Sequence, residues 1–341
     1  MRFKPVKMLL IGAGFMGKVH LEAARKLASI NYVGVVDVKE TLGRALAASF
    51  GLKAYTDPET AIEATTPDAM DLCVPTPFHR PLVEVCAKHS IHVLCEKPIA
   101  LTGADARDIR TMATKAGIRV MIAQVLRFWP EYVFTVAAAR RGMFGKIRSV
   151  ECRRLSSPPG WNSWMMQPDF GGGAVVDLQI HDMDFVLQLL GKPAAIRAKG
   201  RLVDSTFNAV FNHLEYSSGV IAEVKASYLM PASYPFRMAF SVEFEKGVID
   251  MDSWRSKDER LRIYPARGLP RVWRGQASSP KLEQADAYGA EIDYFARQLR
   301  SGKPFDRVPL TESIAALELC LASKSSCVAG HRIIVKSTMK S

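Results

Sequence analysis

Gly12-Ala-Gly14-Phe-Met-Gly17, Cys95-Glu96-Lys97-Pro98 and the run from Gly171 to Asp184 hold the residues of this 341-residue chain whose types and spacing could do chemistry. In the last run three glycines lead into a predicted helix on which Asp177, His181 and Asp184, spaced by four and three, share one face. A carboxylate and an imidazole projected together can take a proton from a hydroxyl. His181 is the base titrating near neutrality, and Asp177 orients it or positions substrate. Asp182, about 140° round the same helix at ~100° per residue, is left off that face. Lys97 follows an apolar strand, so its ammonium emerges at the strand's end, where a cation can hold a substrate hydroxyl and stabilise alkoxide character.

The glycine cluster has a different use. It follows the first apolar run directly and opens the first helical stretch, where backbone must turn tightly and approach a pyrophosphate at a helix N-terminus. The second apolar run ends in Asp37, 20 residues after Gly17, where a carboxylate can bond the ribose hydroxyls of a dinucleotide. A carboxylate there favours NAD and repels the 2′-phosphate of NADP; Lys39 and Arg44 nearby keep NADP as the alternative. Gly12, Gly14, Phe15, Met16, Gly17 and Asp37 are therefore the expected cofactor loop. Pro75, Thr76 and His79 of the loop 74–79 join it, together with Glu96 and Lys97, because ligands collect at the C-terminal ends of strands in such sheets.

These residues need elements to hold them. Segments 6–11, 32–36, 69–74, 91–95 and 119–123 are continuous apolar runs, the mark of strands covered on both faces, and helical stretches 16–28, 40–50, 77–89 and 103–116 alternate with them. That grammar predicts an α/β Rossmann-type doubly wound parallel sheet over residues 1–124. From 125 to 341 the pattern changes to hairpin-linked strands at 208–216, 219–229, 236–245 and 248–252, with two closing helices at 281–300 and 311–329. An α+β domain with a mainly antiparallel open sheet is expected there.

Composition narrows the classes. With 48% hydrophobic and 23% charged residues the chain can bury a large core, which excludes disordered and fibrous proteins. The net charge of +12 divides into +4 over residues 1–124 and +8 over the remainder. Segments 140–154 and 254–274 carry +5 each, and 192–201 holds four basic residues with Arg197, Lys199 and Arg201 on one strand face. No nucleic-acid motif and no basic amphipathic helix accompany them, so neither nucleic acid nor membrane is an expected partner; a solvated or subunit-facing surface is preferred, with an acidic substrate as the other use. Six cysteines without CxxC spacing read as reduced buried thiols, hence a cytoplasmic protein, and no metal site is expected.

The motifs taken together, Gly12-x-Gly-x-x-Gly17, Asp37, Thr76-Pro-Phe-His79, Glu96-Lys97-Pro98, Arg127-Phe-Trp-Pro130, Gly142-x-x-Gly145 and Gly171-Gly-Gly-x-x-x-Asp177-x-x-x-His181-x-x-Asp184, resemble the Gfo/Idh/MocA oxidoreductases over most of the chain. The resemblance implies a nicotinamide-dependent oxidation or reduction at a carbinol carbon of a sugar, polyol or related small molecule, with Lys97, Asp177 and His181 as the catalytic group. It also implies a homo-oligomer, dimer or tetramer, built on the open sheet. Many relatives carry Asn or His just ahead of the Arg-Phe stretch, where this chain has Ala123-Gln124, so contacts near the nicotinamide differ. No secretory or twin-arginine leader is apparent, which points away from the periplasmic members. Trp161 and Trp164 ahead of the catalytic helix offer a wall for a sugar ring, and Arg127 is expected to brace the domain junction. Two rival activities use the same fold: an NAD-dependent glycosidase or eliminase that works through transient oxidation, and a non-catalytic dinucleotide-binding sugar sensor.

Overall fold

The computed structural model describes residues 4–160, 163–266, 280, 282 and 286–335. Two compact units divide it: Met1–Phe128 with Ala285–Ile314, and Trp129–Gln284 with Ala315–Ser341. A single boundary near residue 125 does not describe this division, because a C-terminal segment counts with the N-terminal unit.

In chain order the first unit holds β1 (Val6–Ile11), α1 (Phe15–Ala24), β2 (Ile30–Val36), α2 (Glu40–Ser49), β3 (Ala54–Tyr55), α3 (Pro58–Thr65), β4 (Ala69–Leu72), α4 (His79–Lys88), β5 (His92–Glu96), α5 (Gly103–Ala116) and β6 (Val120–Ala123). All strand pairs are parallel and the order is β3-β2-β1-β4-β5-β6. The strand sequence reverses direction between β1 and β4, so the loops after those strands flank the crevice where such sheets bind ligands. β4 and β6 are buried along their whole length, as continuous apolar runs require, with Asp71 the polar exception in β4. Helix α5 begins on Thr102, whose hydroxyl accepts the Asp105 N–H, and stops at Gly117 in the left-handed conformation. The short pair β3 and α3 is additional to the expected elements. Its signal is local: Asp57 caps the helix by accepting the Thr60 N–H at 2.8 Å, with Pro58 at the first helical position.

The second unit begins with α6 (Pro130–Arg140) and β7 (Ile147–Leu155), followed by α7 (Ile180–Leu190), β8 (Ala195–Val203), β9 (Thr206–Glu215), β10 (Ile221–Ser227), β11 (Arg237–Phe244), β12 (Gly247–Asp252) and β13 (Leu261–Pro265). Its sheet runs β13-β12-β11-β7-β10-β9-β8-β14 with the terminal β14 (Ile333–Ile334) on one edge, and every pair is antiparallel except β7 with β10. The two hairpin turns expected at 217–219 and 245–247 join β9 to β10 and β11 to β12. Strand β9 alternates buried and more exposed positions, as a sheet with one packed face must. On the outer face Arg197, Lys199, Arg201, Phe211, Ile221 and Glu223 are exposed.

Between β13 and β14 lie α8 (Ala287–Ser301) and α9 (Leu310–Ala329). The helix expected from residue 281 begins at Ala287, with Asp286 accepting the Tyr288 N–H as its cap; 281 and 283–285 are outside the described residues. Helix α8 belongs to the first unit. Ser29 donates to Asp293 at 2.6 Å, Arg300 donates to Asp68 at 2.7 Å, and Gly289 lies so close to α1 that an added Cβ would stand 3.3 Å from the Ala23 carbonyl. No described helix is long and apolar enough to cross a membrane.

Candidate active site

In the first unit the three loop glycines do different work. Gly12 has φ +101°, and a Cβ there would run into the Cys73 carbonyl beside it; a Cβ on Gly17 would fall on the Gly12 carbonyl. Packing within the protein therefore demands glycine at 12 and 17. Gly14 is different: its φ is −74°, and a Cβ would meet nothing within 4 Å. Packing within the protein does not require glycine there, and the space stands open for a ligand. The N-terminus of α1 opens at this point with no side chain capping it and no acidic residue in its first turn, so its N–H groups and the positive end of its dipole suit a pyrophosphate. Asp37 holds the loop in place, accepting the Ala13 N–H and the Lys39 N–H at 2.8 Å each. Each carboxylate oxygen keeps a lone pair for a ribose hydroxyl. Phe15, Val38 and Phe78 are exposed in the loops after β1, β2 and β4, and Met16 beside Phe15 is half-buried. Bulky apolar groups gathered at strand ends are the kind of surface an adenine or nicotinamide ring covers.

The remaining loop residues of this unit surround the same strand ends. Thr76 is buried in a short 3₁₀ turn, Pro75 precedes it half-buried, and the buried ring of His79 lies 3.0 Å from both the Val74 and the Pro98 carbonyls. His79 thus ties the loop after β4 to the loop after β5. Burial pulls its pKa below the ordinary imidazole value, and a neutral ring donates to one of those carbonyls only. Glu96 accepts the Lys97 N–H at 3.0 Å, the Lys97–Pro98 peptide is cis, and the Lys97 side chain is half-buried. Gln124 closes β6 with its amide nitrogen buried and without a hydrogen-bond partner among the described residues. A buried orphan donor at a strand end, an unfilled glycine cradle and an uncapped helix fit a dinucleotide. Arg127 is buried and donates to the Arg307 carbonyl at 2.7 Å and to Glu312 at 2.6 Å, while Arg307 returns a bond to the Arg127 carbonyl. It braces the turn after β6 within the first unit.

Beneath the cradle lies a buried polar cluster that sequence patterning did not single out. His20 of α1 places Nδ1 3.0 and 3.1 Å from the two Asp71 oxygens, Tyr32 donates to Asp71 at 2.5 Å, and the Cys73 thiol stands 3.5 Å from His20. One ligand atom each from His20, Asp71 and Cys73 falls within 4.8 Å of the others, close enough to hold a metal ion. Hydrogen bonds among the three account for that spacing, and burial pushes the Cys73 thiol far above its ordinary value, away from the thiolate a metal takes. All six cysteines are free; four are buried, and Cys73 and Cys327 are half-buried.

The second unit holds the acid–imidazole run. Its backbone departs from the single regular helix expected: Ala174–Leu178 forms a π-helical turn, and α7 starts only at Ile180. The cause lies in the packing. Gly172 and Gly173 both have positive φ, and a Cβ on Gly173 would collide with the Thr206 methyl and crowd Asn208, so the chain enters the turn from a left-handed conformation. Gln179 then secures the turn, donating to the Val175 carbonyl at 2.6 Å and accepting from Asn212 at 2.8 Å. Asp177 is consequently placed by the π turn and not by helical spacing to His181. It is buried and accepts a hydrogen bond from the buried hydroxyl of Tyr228, just past β10. His181 is half-buried in the first turn of α7, and Asp184 is buried, accepting from Gln188 at 3.1 Å. Trp164 is half-buried in a short 3₁₀ turn at Ser163–Met166; Trp161 lies outside the described residues.

Asp182 and Arg154 have a structural part. The Arg154 guanidinium donates to both Asp182 oxygens at 2.9 Å and to Tyr132 at 3.4 Å, all three buried. Burial works against the Arg154 charge, and the Asp182 carboxylate reverses that, holding the guanidinium charged. One charge of the basic segment 140–154 is therefore core, which corrects a purely surface reading of that segment. Of the basic segment 254–274, residues 267–274 lie outside the described residues.

Similarity to known proteins follows the same two-unit plan. The family model described as an oxidoreductase family with NAD-binding Rossmann fold, Gfo/Idh/MocA, matches residues 6–124, and the C-terminal domain model of that family matches 135–250. The chain is 28% identical to D-apiose dehydrogenase of Paraburkholderia graminis, over 98% of this chain and 91% of that protein. It is 29% identical to inositol 2-dehydrogenase of Rhizobium meliloti, over 97% and 99%. Levoglucosan dehydrogenase, solved in complex with NADH and levoglucosan, shares the fold at a TM-score of 0.86 and 20% identity, covering 98% of this chain and 100% of that one. The protein belongs to the Gfo/Idh/MocA family of NAD-binding oxidoreductases.

Proposed function

We propose that the protein is a dehydrogenase that moves a hydride between a nicotinamide cofactor and a CH–OH carbon of a sugar or polyol. The observation that carries this reading is the pairing, in one chain, of a glycine cradle that protein packing leaves unfilled at Gly14 with a buried, hydrogen-bonded Asp177 four residues before a half-buried His181. Gly12, Gly14, Phe15, Met16, Gly17, Asp37, Pro75, Thr76, His79, Glu96, Lys97 and Gln124 are the residues that hold the cofactor. Bound NAD supplies the hydride acceptor. NAD is favoured over NADP because the Asp37 carboxylate would face a 2′-phosphate.

His181 takes the hydroxyl proton as hydride leaves the carbon, and returns it in the opposite direction. Lys97 steadies the substrate oxygen as it gains negative character. Asp177, kept in place by Tyr228, orients substrate and imidazole; Trp164 flanks the sugar. The names of the apiose, inositol and levoglucosan enzymes support a sugar or polyol substrate. A cytoplasmic homo-oligomer, dimer or tetramer, completes the reading, supported by exposed Phe211 and Ile221 on the outer face of the second unit's sheet.

Lys97→Ala and His181→Ala test the reading. His181→Ala is expected to bind NAD with wild-type affinity by calorimetry and Lys97→Ala to retain NAD binding, and each to lose about 10²- to 10⁴-fold in turnover, read as reduced-nicotinamide absorbance against polyols, aldoses, amino sugars and sugar acids with NAD and NADP. Wild-type rates in both variants would remove the catalytic assignment.

A further inference from the structure

The buried cluster under the cradle reaches the chemical end of the first unit through one chain of contacts. His20 is fully buried with its two ring nitrogens facing different carboxylates: Nδ1 toward Asp71 at 3.0 Å, Nε2 toward Glu96 Oε1 at 3.3 Å. The second contact is an ion pair and not an aligned hydrogen bond, since Nε2 lacks a hydrogen-bond partner by geometry. The other oxygen of Glu96 accepts the Lys97 N–H at 3.0 Å. We propose that His20 is a positioning residue for Lys97: held between Asp71 and Glu96, it fixes the Glu96 carboxylate that anchors the Lys97 peptide, and so sets where the lysine side chain starts.

The charge of the ring follows from its surroundings. A neutral imidazole has one N–H and would leave one carboxylate facing a lone pair; the imidazolium serves both. The elements packed on the ring contribute titratable groups: Asp71 from β4 and Cys73 just after it, Glu96 from β5, Tyr288 and Glu291 from α8, with Tyr32 reaching Asp71 from β2 and Arg307 acting on Glu291. Burial works against the imidazolium, and the Asp71 carboxylate outweighs it, so the pKa of His20 stands well above the ordinary value. Both oxygens of Glu291 are buried without hydrogen-bond partners among the described residues, and burial keeps this carboxyl protonated well above the usual range. Asp71 and Glu96 are the carboxylates set against the two ring nitrogens of His20. Without the imidazolium, Glu96 loses the cation set against its Oε1 at 3.3 Å, and the carboxylate that accepts the Lys97 N–H is held less firmly.

This inference rests on Lys97 acting in the reaction. The test combines His20→Gln and Glu96→Gln, singly and each in a Lys97→Ala background, with kcat and KM measured on the best substrate of the panel, NAD binding by calorimetry and folding by thermal melting. Each single variant is expected to lose about tenfold to a hundredfold in kcat, with KM for the alcohol changed by less than about twofold; His20→Gln, which lies outside the cofactor-holding set, is expected to keep Kd for NAD within about twofold as well. In the Lys97→Ala background neither substitution should cost a further loss of residual turnover, because the side chain they position is gone. Full kcat in both single variants overturns the proposal, and so does the same fold loss repeated without Lys97, which is what a general structural role would give. If His20→Gln does not fold, Glu96→Gln decides alone by the same two readouts. Wild-type turnover in Lys97→Ala would remove the catalytic assignment and this proposal together; a large loss there with full activity in His20→Gln removes only this one.

Discussion

The glycine cradle of the first unit and the acid–imidazole run of the second are both glycine-led turns into a helix, yet they are held in opposite ways. Around the cradle, the constraints are largely backbone on backbone: Gly12 against the Cys73 carbonyl, Gly17 against the Gly12 carbonyl, and one carboxylate, Asp37, pinning two N–H groups. In the acid–imidazole run the constraints are side chains from distant strands: Tyr228 on Asp177, Asn212 on Gln179, Thr206 against Gly173 and Arg154 on Asp182. Backbone constraints at a strand end recur with fixed spacing and are visible in sequence. Side-chain constraints delivered by a sheet depend on its register.

That contrast can be broken at its most heavily loaded point, the Arg154–Asp182 pair. Arg154→Met leaves the Asp182 carboxylate buried without a counterion and is expected to destabilise the protein by about 3–5 kcal/mol, read as a shift of the urea midpoint. If stability stays within about 0.5 kcal/mol of wild type, the second unit's site does not depend on this distant pair. In the cradle the two glycines should separate cleanly. Gly12→Ala forces a Cβ at positive φ onto a carbonyl and should cost about 1–3 kcal/mol of stability. Gly14→Ala, in open space at ordinary φ, should leave stability unchanged and weaken NAD binding, measured by calorimetry. Equal NAD affinity in Gly14→Ala and wild type would mean that the unfilled space is not the pyrophosphate site.

A last test sharpens the comparison through pH. Burial holds the Glu291 carboxyl of α8 well above the ordinary carboxylate range, so the folded state binds that proton more tightly than the unfolded chain. Its contribution to stability is complete below about pH 4.3 and declines as pH rises toward the folded value, by up to about 1.4 kcal/mol per pH unit. Glu291→Gln, which cannot ionise, should therefore gain on wild type as pH is raised from 5 to 8 in urea titrations. A difference that stays constant with pH would show that Glu291 is not protonated in the folded protein.

Much of the first unit was legible because a buried parallel strand writes itself as a continuous apolar run and a dinucleotide loop as glycines at set spacing. The five strand cores and helix α5 appear where the patterns place them, and Asp37, at the end of β2, accepts the Ala13 N–H of the glycine loop. The short β3 and α3 escaped periodicity because two and eight residues are too few to repeat a pattern, although Asp57-Pro58 marked a helix start. Strand β7, central in the second sheet, was not singled out. It carries Arg148, Arg153 and Arg154 among apolar residues, so it reads as a basic surface segment until Asp182 is seen beside Arg154.

The amino-acid sequence by itself determined the doubly wound sheet and the place of the glycine loop, and it marked Asp37, Lys97, Asp177 and His181 as candidates by residue type and spacing. These follow from local propensity, hydrophobic period and spacing, which neighbouring residues decide. Only the tertiary structure decided that the acid–imidazole run bends through a π turn, that Tyr228 supports Asp177, that α8 returns to the first unit, and that His20 sits between Asp71 and Glu96. Each of those is a contact between residues far apart in the chain, and its energy comes from burial and charge pairing that exist only once the sheets have formed.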